Sequence, residues 1–418
     1  MMRGAFRHRD FRLLFAGSVA VSFVMPMQFL TQIFWIQDRY PDHSVLFAGM
    51  LAASRGSAGL IFGLLGGAFA DRFERRRVLL VSQVISLAIG GLVTLVMIVE
   101  PFGAANIAAL LGLTFIAAGN MAVDQPARTA ATPAIVGMKD LSSAITLQMV
   151  AMQVTFPLAL PLTGYLNDLM DPGRVYALTL LAWAIILPLI AMLRFQSRGE
   201  ANRATGIIGN IREGLGYTRR DATISAVILL VLAVQVLGMP GPAHLGPLWM
   251  TDVLGLSSTQ FGFMAMTWGF GTFAASFFFA FRKELAGRGA TLCIAVLLFG
   301  GGAIIFGHSR IIALTALANF ILGFGSVATS VTSATIVQHT VSDEMRGRVM
   351  GLFPLAHGLS MLAGFPASAA SQALGMAVVF PVLAWATLAA AVGIIGRRPT
   401  LRTIRPAVAP APVVAGGG

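Results

Sequence analysis

The sequence predicts an all-α integral membrane protein, with twelve transmembrane helices arranged as two pseudo-symmetric six-helix bundles. Three observations predict it. Of 418 residues, 56% are hydrophobic and only 11% are charged, against about 25% charged in a soluble domain, and mean hydropathy is +0.81. Apolar runs near the roughly 20 residues that cross a bilayer recur twelve times. Basic residues collect in alternate gaps between those runs. These features exclude an ordinary water-soluble enzyme and a disordered chain.

The runs fall in order at 12–35, 45–70, 78–99, 104–123, 141–165, 174–193, 222–250, 258–281, 289–307, 311–338, 348–371 and 374–396. The first is too long for a cleaved leader and lacks a small-residue cleavage site, so it stays as a span. The second ends at the charged stretch Asp71–Arg77, and the third runs from there to Glu100-Pro101. Pro126, Arg128 and Pro133 mark a loop between the fourth and fifth, and Asp171-Pro172 separates the fifth from the sixth. The seventh contains Pro240, Pro242 and Pro247, which predicts a kinked helix whose freed carbonyls find partners on neighbours. The eighth closes at Arg282-Lys283, the ninth at His308, the tenth before Asp343-Glu344, and the last two are parted at Gly375.

Of the 29 Lys and Arg residues, 25 lie in the N-terminus, the gaps after even-numbered spans and the C-terminal segment. Arg39, Arg174 and Arg310 lie on the other side, and Arg55 lies inside a span. This is the positive-inside pattern. It puts both termini in the cytoplasm of a cell whose inner membrane holds the chain. The net charge of +12 then serves topology and contact with anionic lipid rather than nucleic acid.

The longest polar interval, 195–221, divides an N-terminal bundle (1–194) from a C-terminal one (222–396). Within it Ile207, Ile208, Ile211 and Leu215 have helical spacing opposite charges, which predicts a short amphipathic surface helix. The segment 397–418, rich in Pro, Ala and Gly, is expected to be a disordered cytoplasmic tail. Shifting the sequence by 214 residues brings Met25-Pro26 onto Met239-Pro240, Trp35 onto Trp249, Asp38 onto Asp252, Phe47 onto Phe261 and Met50 onto Met264. A six-span unit duplicated in the same direction puts a pseudo-two-fold axis along the membrane normal.

The loop between the second and third spans reads Gly67-Ala-Phe-Ala-Asp71-Arg72-Phe73-Glu74-Arg75-Arg76. It resembles the loop signature of the major facilitator superfamily (MFS), with Glu74 where the family usually has Gly. Gly67 allows close helix approach. The charged cluster Asp71, Arg72, Arg75 and Arg76 is expected to latch the two halves in one state and release them in the other. The segments Phe6-Arg-His-Arg-Asp10-Phe11-Arg12, Pro126-Ala-Arg128 with Pro133, Ile211–Arg220 and Arg346-Gly-Arg348 resemble the bacterial exporters of enterobactin, macrolides and multiple drugs. The resemblance implies the MFS fold and multidrug efflux by antiport. Two signatures of proton-coupled members are missing: Arg-x-x-x-Gln-Gly in the fourth span, and the glycine pattern of the fifth, which reads Thr155-Phe-Pro157-Leu-Ala-Leu-Pro161-Leu-Thr-Gly164 here.

Amides and histidines avoid the third, sixth, ninth and twelfth spans, where Gln83 is the exception. A polar side chain in lipid is costly, so the other spans face an interior or a wet cavity. The candidates for its wall are Gln28, Gln32, Arg55, Asn120, Gln153, Gln235, His244, Trp268 and Asn319. Arg55 stands out, since inserting an arginine costs about 2.5–3.5 kcal/mol on translocon scales. It either snorkels toward Asp38, Asp252 or backbone carbonyls, or binds an anion in the cavity. The groups able to carry a proton are Asp38, Asp124, His244, Asp252 and His357.

The expected function is therefore export of a small amphipathic molecule (a drug, macrolide or siderophore) by alternating access, driven by protons. The expected partners are that substrate, protons and membrane lipid, and the chain is expected to be a monomer. No cofactor is expected. There is no phosphate-binding Gly-x-x-x-x-Gly-Lys-Ser/Thr for ATP, the lone Cys293 sits in an apolar run, and scattered histidines give no zinc site. Uptake or lysophospholipid flipping by the same fold is the rival, with a non-transporting receptor behind it. An intramembrane enzyme would need clustered polar groups, and they are isolated here.

Overall fold

The computed structural model describes residues 4–195, 197, 207–281, 287–398 and 401, with the side chains of 64–72 and 207–208 left aside. Among the described residues all regular structure is helical. In chain order the helices are α1 (Arg9–Arg39), α2 (Ser44–Arg72), α3 (Arg75–Val99), α4 (Asn106–Leu169), α5 (Pro172–Ala191) and α6 (Ile207–Arg220). They continue with α7 (Ala222–Val253), α8 (Ser258–Phe281), α9 (Arg288–His308), α10 (Ile312–Thr340), α11 (Asp343–Leu374) and α12 (Met376–Arg397). Eleven of these are long and apolar enough to cross a bilayer.

The count becomes twelve crossings inside α4. That 64-residue helix is broken at Gly137, with φ 68° and ψ 172°. This backbone region is open essentially only to glycine. The two arms, 106–136 and 138–169, each exceed spanning length. The sequence pattern predicts a loop here, and the structure corrects it. The first arm runs thirteen residues past the apolar run that predicts it. Asp124 and Arg128 stay helical because they pair with each other one turn apart, so the charge that signals a loop is neutralised. Arg128 is accordingly a buried ion-pair partner rather than a loop anchor.

The prolines of α7 bend it differently from a simple kink. The helix widens into π-helical turns at Ala233–Gly238, Pro240–Leu245 and Trp249–Val253, with one α-turn at Gly246–Leu248. Proline removes an N–H and crowds the preceding turn. A wider turn shifts the hydrogen-bond register past it, and such turns often occur at functional sites.

The bundles meet along two seams, α2 against α11 and α4 against α8. Both depend on small residues. A Cβ on Gly262 would lie 2.6 Å from the Leu160 carbonyl oxygen, so only glycine admits this approach. Gly49 and Gly56 of α2 sit at the first seam, and Gly262 and Gly269 of α8, 213 residues on, sit at the second. Helices α3, α5, α9 and α12 turn Val84, Leu181, Ile294 and Val382 outward as an apolar coat. Surface helix α6 forms where expected. It buries Thr218 and packs Gly214 on the backbone of Arg348, while Leu215 stays exposed. The segment 402–418 lies outside the described residues.

Candidate functional site

A cavity of about 570 Å³ lies between the bundles. Its wall comes from α1, α2, both arms of α4, α7, α8, α10 and α11, with no lining residue from α3, α5, α9 or α12. The sorting of polar residues along the sequence anticipates this division of inner from outer helices. Met25 and Met239, equivalent in the repeat, both line it.

Of the wall candidates, Arg55, His244, Trp268 and Asn319 line the cavity. Arg55 points at no carboxylate. Its Nη2 donates to Gln32 Oε1 at 2.9 Å, and its guanidinium lies over the Phe29 ring, 4.7 Å from the centroid. The snorkelling alternative toward Asp38 or Asp252 is not what the structure shows. His244 is buried in the second π-turn of α7, with its ring facing the Ser360 backbone of α11. The amide of Asn319 donates to the Met264 carbonyl at 3.0 Å and to Thr267 Oγ1 at 3.1 Å, tying α10 to α8.

The remaining candidates work between helices instead of on the wall. Gln28 donates to Thr179 Oγ1 of α5 at 3.0 Å, and Gln32 to Thr114 Oγ1 of α4 at 3.3 Å. Asn120 pins α4 to α3 through the Ser82 carbonyl and Ser86 Oγ, each at 2.8 Å. Gln153 crosses the second seam to Ser276 Oγ at 2.7 Å. Gln235 lies in the first π-turn with its amide oxygen unpartnered.

Among the proton-carrying candidates, His357 shares the cavity wall with His244. Asp124 is buried, bridged to Arg128 at 3.1 Å and accepting from Ser82 Oγ at 2.5 Å and Gln83 Nε2 at 2.8 Å. Gln83, the one amide on an outer helix, is thus accounted for. Sequence reasoning misses Arg128, Gln125 and Gln148 as wall residues. The four-residue spacing of Asp124 and Arg128 is the signal that could have found the first.

Asp38 and Asp252 lie elsewhere, in a second, polar cavity of about 440 Å³ between the bundles at the far ends of α1, α7 and the second arm of α4. Here the bundles are bonded to each other. Gln37 Nε2 donates to Thr251 Oγ1 and Asp252 Oδ1, both at 2.6 Å. Asp168 accepts from the backbone N–H groups of Ser258 at 3.0 Å and Thr259 at 2.9 Å, capping α8 from the opposite bundle. Gln372 donates to the Asp42 carbonyl at 2.6 Å. Beneath this collar Phe34 and Phe261 meet edge to face at 5.6 Å, with Leu30, Leu160 and Met250 packed around them. The collar and plug close one end of the main cavity.

A family model described as transmembrane secretion effector, within the major facilitator superfamily, matches residues 3–411. The chain belongs to that family. A curated relative, the multidrug efflux pump Tap of Mycolicibacterium fortuitum, is 23% identical over 346 residues, covering 81% of this chain and 84% of the relative. Among solved structures, a mutant of the nucleoside transporter NupG is similar with a TM-score of 0.77 at 12% identity, covering 93% of this chain and 99% of that one. A POT family transporter in complex with 5-aminolevulinic acid is similar with a TM-score of 0.75 at 12% identity, covering 94% and 97%. The fold is that of the superfamily, and this MFS chain is a transporter, not an enzyme.

The superfamily loop motif divides in two in this transporter. The side chains of Gly67, Asp71 and Arg72 lie outside the described residues. Arg75 Nη1 donates to the Ala130 carbonyl at 3.1 Å and Ser197 Oγ at 2.7 Å, and Arg76 Nη2 to the Ala191 carbonyl at 3.0 Å. These bonds tie the loop to α4 and to the end of α5, within the N-terminal bundle and not across the two. Glu74 pairs with Arg77 at 3.0 Å.

Proposed function

We propose that the chain is a proton-driven exporter of small amphipathic molecules in a bacterial inner membrane, with both termini cytoplasmic. It works as a monomer by alternating access. The observation that carries the reading is the main cavity: both bundles build it, methionine, phenylalanine and tryptophan supply a third of its wall residues, and a bonded collar over an aromatic plug seals one end. Methionine adapts to varied shapes, which suits a broad substrate range, and the similarity to a multidrug efflux pump points the same way. The positive-inside distribution supports a collar on the extracytoplasmic side. The closed collar then corresponds to a cytoplasm-facing, loading state.

The histidines on the wall, His244 and His357, are the groups proposed to couple protons, since among the described residues they are the titratable side chains other than arginine that face the cavity. The test uses everted membrane vesicles containing the protein, with a panel of anionic, neutral and cationic fluorescent amphiphiles as probes. Acidifying the vesicle lumen is expected to drive probe uptake, and a protonophore to abolish it. Uptake that ignores the pH gradient would overturn the coupling. Accumulation only in right-side-out vesicles would overturn the direction. Retention of gradient-driven transport in both His244→Asn and His357→Asn would remove the histidines from the proton path. Labelling of a cysteine placed at Arg212 from the external face would overturn the orientation.

A further inference from the structure

The main cavity holds a cation that the protein does not neutralise. Among the described residues Arg55 is in no ion pair. Asp38 lies in the polar collar cavity instead, and several other acids have partners of their own. Asp124 is bridged to Arg128, and Glu100 and Asp171 to Arg39. Asp252 accepts from Gln37, and Asp168 from the backbone of α8. What Arg55 has is a neutral acceptor. Gln32 gives its amide hydrogen to Thr114, which leaves its oxygen turned to Arg55. One guanidinium face is covered by Phe29, and the buried Nε has no partner. The charge is therefore held in place and oriented without being compensated, in surroundings where Coulomb attraction is far stronger than in water.

His244 lines the same space. It is 6% exposed, and its ring faces the Ser360 backbone of α11 with His357 nearby. Its ring packs at Gly364, a position that also touches Ala52, one helical turn before Arg55. The imidazole thus sits at the seam of α2 and α11, on the wall of the same cavity as the guanidinium. A buried polar group without a partner, such as the Arg55 Nε, is costly, and a ligand that accepts a hydrogen bond removes that cost. The rest of the wall, including Met25, Met152, Phe156, Met250 and Trp268, offers an apolar surface to the ligand's body.

We propose that the transported molecules are amphipathic organic anions, whose carboxylate- or phosphate-type group docks on Arg55 while the apolar body lies on the methionine and aromatic residues of the wall. This rests on the reading of the cavity as the transport site and narrows it to a substrate class. The guanidinium's bonds to such an anion are charge-assisted, and charge-assisted hydrogen bonds are about twice as strong as neutral ones.

The test compares three probes that share one body: pyrenebutyrate, pyrenebutanol and pyrenebutylamine. Purified full-length protein is titrated with each, and binding is read by energy transfer from tryptophan to pyrene. The wild type is expected to bind the carboxylate at least ten times more tightly than the alcohol, and the amine most weakly. In Arg55→Gln the carboxylate-to-alcohol ratio should fall to near one, and in Arg55→Lys most of it should remain. A wild type that ranks the three alike, or Arg55→Gln with an undiminished ratio, overturns the proposal. The wild-type ranking decides the matter even if Arg55→Gln does not purify as a folded protein. Displacement of pyrenebutyrate by lysophosphatidic acid but not by lysophosphatidylcholine would assign the anion to a lipid. Displacement by aryl carboxylates alone would assign it to a soluble amphiphile. Binding to purified protein is independent of direction and driving force. An anion preference without export in vesicles would therefore sink the export reading alone, and equal export of all three probes would sink this one alone.

Discussion

At the scale of single residues, the buried ion pair of Asp124 and Arg128 shows how a polar group survives inside this protein. Each side chain is almost fully buried, and the carboxylate also accepts from Ser82 and Gln83. Removing one member of such a pair leaves an uncompensated charge, which costs about 3–5 kcal/mol. Asp124→Asn is expected to lower the stability of the detergent-solubilised protein by an amount in that range, read as a lower thermal midpoint. The double variant Asp124→Asn/Arg128→Gln should recover most of the loss. If it is no more stable than the single variant, the unpaired arginine is not the cause. Residue chemistry is legible in the sequence as far as type and depth go. The exclusion of amides from four spans is enough to mark the outer helices. The partners are not legible, because they are set by packing across many residues: Gln28 meets Thr179, and Gln153 meets Ser276 of the other bundle. An amide on an inner helix has the same sequence signature whether it lines a cavity or bonds a neighbour.

At the scale of elements, the twelve spans are legible because length and hydropathy alone decide them in a bilayer. Local backbone geometry is not. Pro126, Pro133, Asp124 and Arg128 ordinarily mark a loop, yet α4 runs through them to Gly137. The prolines of α7 are absorbed as π-turns, which no hydrophobic period reveals. The joint at Gly137 makes a clean prediction. A Cβ there would meet nothing within 4 Å, so any cost of Gly137→Ala comes from its positive φ alone. That cost is about 1–3 kcal/mol. Gly112 is helical and equally open, so Gly112→Ala should be stabilising by about 0.5–1 kcal/mol. Opposite shifts of the thermal midpoint in the two variants are the expected outcome. Equal shifts would mean that the joint is not held by glycine's backbone.

At the scale of the whole molecule, the internal repeat explains how the two bundles close on one another. Gln37 and Thr251 are 214 residues apart, the offset of the repeat, and they bond to each other. Equivalent residues of two halves can touch only near the axis relating them, so the collar lies on that axis and its bonds must part when the bundles rock open. Asp168 is the member with the most directional hold, because its carboxylate fills two N–H groups at the start of α8, where the helix dipole also favours negative charge. Replacing an N-cap carboxylate by Ala costs about 0.5–2 kcal/mol, which at RT of about 0.6 kcal/mol is roughly a 2- to 30-fold change in an equilibrium constant. The cost is borne by the closed-collar state alone, so Asp168→Ala should raise the collar-open population by that factor. Leu30→Cys, placed on the cavity wall beneath the Phe34–Phe261 plug in a Cys293→Ser background, reports it through reaction with a membrane-impermeant maleimide added at the collar side. Labelling should accelerate by the same 2- to 30-fold when Asp168→Ala is added. An unchanged rate would show that the aromatic plug, and not the cap across the bundles, sets the closed state. In that case Phe34→Ala, rather than Asp168→Ala, should open the cavity to the reagent.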